Sequence, residues 1–265
     1  MKNSRWVIPS SEEGFLHRFD LRDIGNKDKY DFFRLHYPER TEKVSELGER
    51  YCPSKKILEV GSAEPNIGLL LAEQEFSTIG LDINIDFLKY SRANHETGKT
   101  TRICANATDL PFQEESLDGV ITTELLEHCA YPEKIGEEAC SCLNQGGFLV
   151  ITTSNGDCII NRETRFSKIK IDRMSLKERQ FEPAGGNHLF EVSLDGVVSI
   201  LPSNFKILGI CYLNPMLLNS HTYSLYRCFP IRLLRWLQML VWVLPLLRIK
   251  LCNSIVVHAQ KQFWT

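Results

Sequence analysis

Three groups of residues have types and spacings suited to chemistry. The first is the turn Gly61-Ser62-Ala63, which follows a short apolar run containing Glu59. A glycine at such a point lets the chain turn sharply and lets a ligand approach the backbone. If a helix starts just beyond it, the helix's first N–H groups and its dipole favour the same spot, and Pro65 suits a first helical turn because its missing N–H costs nothing there. The second group is Asp82 with Ile83, about 20 residues further on, where a carboxylate can accept hydrogen bonds from both hydroxyls of a ribose. The third is the pair Glu127-His128 with His188 far downstream. An imidazole titrates near neutrality and can take a proton from a hydroxyl group. His128 reads either as that base or as a residue that packs the following helix, and Glu127 as a hydrogen-bonding support or a direct participant. His188 can face the same cleft from a different segment.

These residues need a scaffold, and the chain supplies a regular alternation. Apolar runs at Lys56–Val60, Thr78–Leu81, Arg102–Ala105, Leu117–Thr122 and Gly147–Thr152 read as strands. Helical stretches fall between them at Ile67–Glu73, Asp86–Asn94 and about Pro132–Leu143, after a first helix at Pro38–Tyr51. Strands alternating with helices at this spacing give βαβ units, a parallel sheet and right-handed crossovers. Residues 1–54 form a leader, 55–155 a cofactor-binding core, 156–190 an insertion or cap over the active-site edge, and 191–265 a C-terminal part, all in one domain. Helix–strand order resumes with Val192–Leu201 and Phe205–Tyr212, and Ser254–Ala259 reads as the last strand.

The glycine turn also narrows the ligand. A dinucleotide site wants G-x-G-x-x-G so that a pyrophosphate can touch the backbone. Here those positions hold Gly61, Ala63 and Asn66, which argues against a nicotinamide or flavin dinucleotide.

With these residues in hand, the chain resembles the class I S-adenosylmethionine-dependent methyltransferases, and most closely their ubiquinone- and menaquinone-type branch. The resemblance covers about Lys55 to Asn155. It rests on Glu59, Gly61, Ser62, Ala63 and Gly68 in the first motif and on Asp82 after strand two. Asn106-Ala107 followed by Leu110-Pro111-Phe112, then Asp118, Glu127-His128 and Gly146-Gly147, complete it. It implies a Rossmann-like seven-stranded, mostly parallel sheet flanked by helices, with the last strand antiparallel. It also implies S-adenosyl-L-methionine as cofactor, bound by Glu59, Gly61, Ser62, Ala63, Asp82, Ile83, Asn106, Ala107 and Thr123. Two departures stand out: Ala63 and Pro65 replace usual glycines, and Asn106 replaces an Asp that accepts from the adenine amino group. The oxygen of an Asn side chain can still accept from that amine.

The implied activity is methyl transfer to a small or lipophilic acceptor, with oxygen favoured as the acceptor atom. The alternatives are a non-catalytic binding or scaffold protein on the same fold and, further off, a nicotinamide oxidoreductase. Nucleic acid is not expected as a partner, because the net charge of −2 on 265 residues offers no basic surface. No metal is expected either: Cys140 and Cys142 form a C-x-C without a second pair at zinc-site spacing. Cys104, Cys129 and Cys211 sit in apolar runs and read as small, reduced hydrophobes, which with the absence of an apolar leader core suggests a cytoplasmic protein.

Phe229–Ile249 is strongly apolar, yet its uncharged centre, Trp236 to Leu247, is shorter than the roughly 20 residues a membrane span needs. Arg232, Arg235 and Gln238 lie along one helical face, and Leu233, Trp236, Leu237 and Leu240 along the other. The segment reads as a buried helix, as an apolar lid over the acceptor, or as a helix lying on a membrane surface. The last two suit a lipid-linked acceptor and a peripheral membrane location.

Overall fold

The computed structural model describes residues 31–63, 66–93, 98–159, 166, 188–215, 233, 236, 239–241 and 243–263. In chain order the elements are α1 (Asp31–Tyr51), β1 (Lys56–Val60), α2 (Asn66–Glu73), β2 (Ser77–Asp82), α3 (Ile85–Ala93), β3 (Lys99–Cys104) and β4 (Leu117–Thr123). A single 3₁₀ turn, Leu126–His128, precedes α4 (Pro132–Cys142) and β5 (Leu143–Ser154). After these come α5 (Leu194–Ile200), β6 (Phe205–Pro215), α6 (Pro245–Leu251) and β7 (Cys252–Lys261).

The strands form one seven-stranded sheet in the order β3-β2-β1-β4-β5-β7-β6. Pairing is parallel from β3 through β5, and β7 enters antiparallel between β5 and β6. This is the expected doubly wound sheet with its antiparallel final strand. The order reverses between β1 and β4, and in open α/β sheets ligands bind at such a switch point, beyond the carboxyl ends of the strands.

Side chains alternate across a strand, and here the alternation sorts the core onto two faces. Leu58, Val60, Val120, Leu149, Ile151, Ile255 and Val257 pack on one face with α4 and α5 residues such as Ile135, Ala139 and Val197. Ile57, Ile121, Phe148, Val150 and Val256 pack on the other against Val44 and Leu47 of α1 and Ile67 and Leu71 of α2. Near-continuous apolar runs are what strands buried on both faces require.

The ends of β5 and β7 are tied by Asn155. Its side-chain nitrogen donates to the carbonyls of Ile249 and Cys252 at 2.8 and 2.7 Å. The start of α5 is capped by Ser193, whose hydroxyl accepts from Gly196 N at 3.1 Å.

Three expectations need correction. The apolar segment 229–249 is not one helix: Leu244 is extended (φ −105°, ψ 103°), and Pro245 opens α6 at a position where its lack of an N–H is harmless. Nor is its apolar face buried, since Leu233, Trp236, Met239, Leu240, Val243, Leu244 and Leu247 are all exposed and only Val241 among the described neighbours is covered. Among the described residues no helix is long and apolar enough to cross a membrane. Finally, Cys104 is exposed rather than buried, because β3 is the outermost strand; Cys129 and Cys211 are half-buried. The cysteines named among the described residues are all free thiols. Pro65, most of the expected 156–190 cap and much of 216–242 lie outside the described residues.

Candidate functional site

The residues singled out in the sequence gather at the carboxyl edge of β1 to β5. Gly61 leaves β1 with φ +66°, the left-handed region, and a Cβ there would lie 2.7 Å from the Leu125 side chain. Glycine is therefore required twice, by conformation and by space. Ala63 also has a positive φ, +44°, a conformation that costs a residue with a Cβ roughly 1–2 kcal/mol. The loop holds it there: Ser62 N donates to the Leu81 carbonyl at 2.9 Å, and Ala63 N donates to Asp82 Oδ2 at 2.8 Å.

Asp82 thus organises the edge before any ligand arrives. Its Oδ1 accepts from Asn84 N at 2.8 Å, and its backbone carbonyl accepts from Ala105 N at 3.1 Å. Burial pushes the Asp82 carboxyl above the usual range, while the backbone N–H groups of Asn84, Ala63 and Ile83 pull it back. Each carboxylate oxygen keeps a further lone pair for a ligand. Ile83 beside it is 52% exposed, at the open lip of the edge.

Glu59 lies one residue before the end of β1. It is 2% exposed, and its Oε2 accepts from Gly68 N at 2.8 Å, clamping the first turn of α2 to the end of β1. Burial raises its pKa to about 8 despite hydrogen bonds from the Gly68 and Ile67 backbones.

Asn106 differs from expectation as well. Its Oδ1 already accepts from Thr108 N at 3.0 Å and from Thr108 Oγ1 at 3.1 Å. The remaining polar atom of the amide is its nitrogen, a donor, so its natural partner on an adenine is a ring nitrogen rather than the amino group. Ala107 is buried behind it. Thr123 closes β4, half-buried, in register with Thr152 of β5.

Across the edge lies the second cluster. The 3₁₀ turn after β4 carries Glu127 and His128, and the chain returns at His188, whose ring meets that of His128 edge-on with centroids 5.1 Å apart. Leu189 N donates to the Glu127 carbonyl at 2.8 Å and fixes this approach. One donor atom from each of Glu127, His128 and His188 lies within 4.8 Å of the other two. Glu127 is fully buried; Thr153 Oγ1 donates to its Oε2 at 2.7 Å, while Oε1 has no hydrogen-bond partner among the described residues. Burial, with the Glu124 carboxylate nearby, raises the Glu127 pKa to about 7. Burial works against charge on His188, but its 3.1 Å contact with Glu191 Oε1 and the carboxylates of Glu127 and Glu124 outweigh that and raise its pKa.

Sequence reasoning missed three participants. Glu124, at φ +47°, pairs with Arg40 of α1 at 3.0 Å and accepts from Thr152 Oγ1 at 3.2 Å. Glu191 orients His188. The E-x-x-E-H spacing of Glu124, Glu127 and His128 was a legible signal; nothing in the leader marked Arg40. Burial first, then the carboxylates of Glu127 and Asp82, push the Cys129 thiol up to about 12.

Residues 58–151 match the family described as Methyltransferase domain. An uncharacterised protein of Methanocaldococcus jannaschii is 34% identical over 134 residues, which is 51% of this chain and 55% of that protein. The chain thus spans about half the length of that relative. Among solved structures, an S-adenosylmethionine-dependent methyltransferase from Archaeoglobus fulgidus superposes with a TM-score of 0.54 at 18% identity, covering 88% of this chain and all of that one (100%). The [4+2]-cyclase SpnF superposes with a TM-score of 0.55 at 14% identity, over 87% of this chain and 84% of that one. At these identities the structural likeness establishes the fold.

Proposed function

We propose that the chain, whose residues 58–151 match the family described as Methyltransferase domain, transfers a methyl group from S-adenosyl-L-methionine to a hydroxyl oxygen of a small or lipophilic acceptor. The carrying observation is that one sheet edge presents both a ribose-type carboxylate, Asp82 in its backbone cradle, and a buried cluster of Glu127, His128 and His188. The residues fit the cofactor: Gly61 leaves open the space a side chain would fill, and Asp82 keeps acceptor capacity for two ribose hydroxyls.

S-adenosyl-L-methionine supplies, when bound, a methyl group on a sulfonium centre that leaves as a neutral thioether. The chain must orient the two partners in line, keep water out and accept the hydroxyl proton. Asp82, Ile83, Asn106, Ala107 and the Gly61–Ala63 loop hold the nucleoside end, with Thr123 at the boundary. Glu59 keeps the loop in register. His128 and His188, with Glu127 between β4 and β5, receive the acceptor oxygen.

Two features support a lipophilic acceptor of the quinone-related type. The motifs resemble that branch, and the exposed apolar side chains of Trp236, Met239, Val243 and Leu247 offer contact with a membrane surface. A second reading, a methyltransferase fold used for something else, draws on Asn106, whose amide oxygen is already engaged, and on the [4+2]-cyclase of the same fold.

The test is incubation of the purified chain with methyl-labelled S-adenosylmethionine and a panel of phenolic and polyprenylated hydroxyl acceptors. Label in the acceptor, matched mole for mole by S-adenosylhomocysteine, is the expected result. Cofactor binding without transfer to any acceptor would favour the second reading.

A further inference from the structure

We infer that the carboxyl edge of the sheet docks on an anionic lipid bilayer through the exposed apolar residues between 233 and 247, so that an acceptor enters the site from the membrane. The docking stands on observations independent of the methyl-transfer reading; the route of the acceptor rests on that reading.

The first observation is charge. After Asp195 the chain has seven Lys or Arg residues and no Asp or Glu. With a net charge of −2 for the whole chain, the first 195 residues therefore carry −9 and the last 70 carry +7. Five of the seven cations, Arg227, Arg232, Arg235, Arg248 and Lys250, bracket the uncharged run Trp236–Leu247 from both sides. An anionic lipid surface attracts that region and repels the rest of the chain. A second copy of the chain fits the same region poorly, because self-contact would set one cationic segment against another.

The second observation is exposure. Positions 233, 236, 239–241 and 243 are α-helical. On one helical register, Leu233, Trp236, Met239, Leu240 and Val243 share an arc of about 120°. All five are exposed, Val243 by 70% and Met239 by 64%, whereas Val241 on the opposite side is 3% exposed. A surface helix of a globular protein normally turns its apolar stripe inward. Here the stripe faces outward, as in helices that lie in a membrane interface. Leu244 and Leu247 carry the exposed apolar surface onto α6, and Lys250 of α6 is exposed as well.

The third observation is place. α6 runs directly into β7, which begins at the carboxyl end of β5, where Ser254 pairs with Ser154. Asn155 holds the Ile249 and Cys252 carbonyls, and Ile159 N donates to the Lys250 carbonyl at 3.0 Å. These bonds fix α6 at the sheet edge that also carries Asp82 and the Gly61 turn. A surface that receives α6 therefore faces that edge.

The experiment is flotation of the full chain with vesicles of phosphatidylcholine alone or mixed with phosphatidylglycerol, at low and high salt. We expect capture by the mixed vesicles, reduced at high salt and on omitting phosphatidylglycerol. Lys250→Gln should weaken partitioning about 5-fold, the equivalent of about 1 kcal/mol per basic residue near an anionic surface. Met239→Asp combined with Val243→Asp should stay unbound, and wild-type melting by circular dichroism shows that this variant is folded. Hydrogen exchange on the vesicle-bound chain should show new protection at 233–251 and at Gly61–Ala63, and none at residues 144–147, at the other end of β5. Equal capture by both vesicle types, capture of the paired Asp variant, or protection at 144–147 without protection at 233–251 would overturn the docking. Self-association lost in the Asp variant, without vesicle capture of the wild type, would overturn it in favour of a second copy. Docking without methyl transfer to any vesicle-embedded hydroxyl acceptor leaves the docking standing and removes the acceptor route; transfer without docking does the reverse.

Discussion

Replacing Asp82 by Asn separates ligand contact from loop architecture. The Asp82 carboxylate uses Oδ1 for Asn84 N and Oδ2 for Ala63 N, each at 2.8 Å. An amide has one acceptor oxygen, so its NH₂ must confront one of those two N–H groups or a ribose hydroxyl. Hydrogen bonds to a charged group contribute about 1.5–3 kcal/mol, so losing one ligand contact near 2 kcal/mol weakens binding about 30-fold. Folding should suffer less, because the neutral amide is spared the burial cost that now raises the Asp82 pKa. In a thermal-shift assay, S-adenosylhomocysteine at 100 times its dissociation constant adds about 2.7 kcal/mol to the wild type. At about 2–4 °C per kcal/mol for a chain of this size, that is a rise of about 5–11 °C. The same ligand concentration gives Asp82→Asn only about 0.9 kcal/mol, or about 2–3.5 °C. A variant that melts near the wild type without ligand and still shows the full ligand shift would refute the assignment of Asp82 to the ribose.

Two further outcomes follow from the same geometry. Glu59 holds its proton in the folded chain up to about pH 8, whereas an unfolded Glu releases it near 4.3. Stability from this group is therefore fully present below the unfolded value and declines as pH rises through the window to about 8. Glu59→Gln should flatten that decline in urea unfolding between pH 5 and 8 (about the span of the window); an unchanged slope would show that Glu59 is ionised in its clamp. For the apolar stripe, sedimentation with anionic vesicles should capture the wild type, and the pair Trp236→Ser and Val243→Ser should stay in the supernatant. Equal capture of both proteins would assign membrane contact to another surface, and no capture of either would remove it.

The sheet was readable in advance because its signals are local. Lys56–Val60 is bounded by a polar stretch and a glycine and forms β1 as expected. The other strands of the core differ from expectation by a few residues at their ends, where pairing with neighbours rather than composition decides. β5, for example, runs back to Leu143 because Leu117 of β4 pairs there. The apolar stretch 229–249 misled for a related reason. Hydropathy marks a segment as apolar, but only the tertiary structure shows that Leu233, Trp236, Met239, Leu240 and Val243 stay exposed.

At the site, residue types and spacing determined the glycine turn at Gly61, the carboxylate at Asp82 and the Glu127-His128 pair, because backbone conformation and hydrogen-bonding capacity belong to single residues. Tertiary structure decided what those groups do. It buried Glu59 against α2 and made it a clamp, turned the Asn106 oxygen toward Thr108, and set Arg40 beside Glu124. It also carried His188 back across about 60 positions of sequence to meet His128. Pairings over such separations depend on which strands lie side by side, and burial, which exists only once the sheet has closed, raises the pKa of Glu127 and leaves its Oε1 without a hydrogen-bond partner among the described residues.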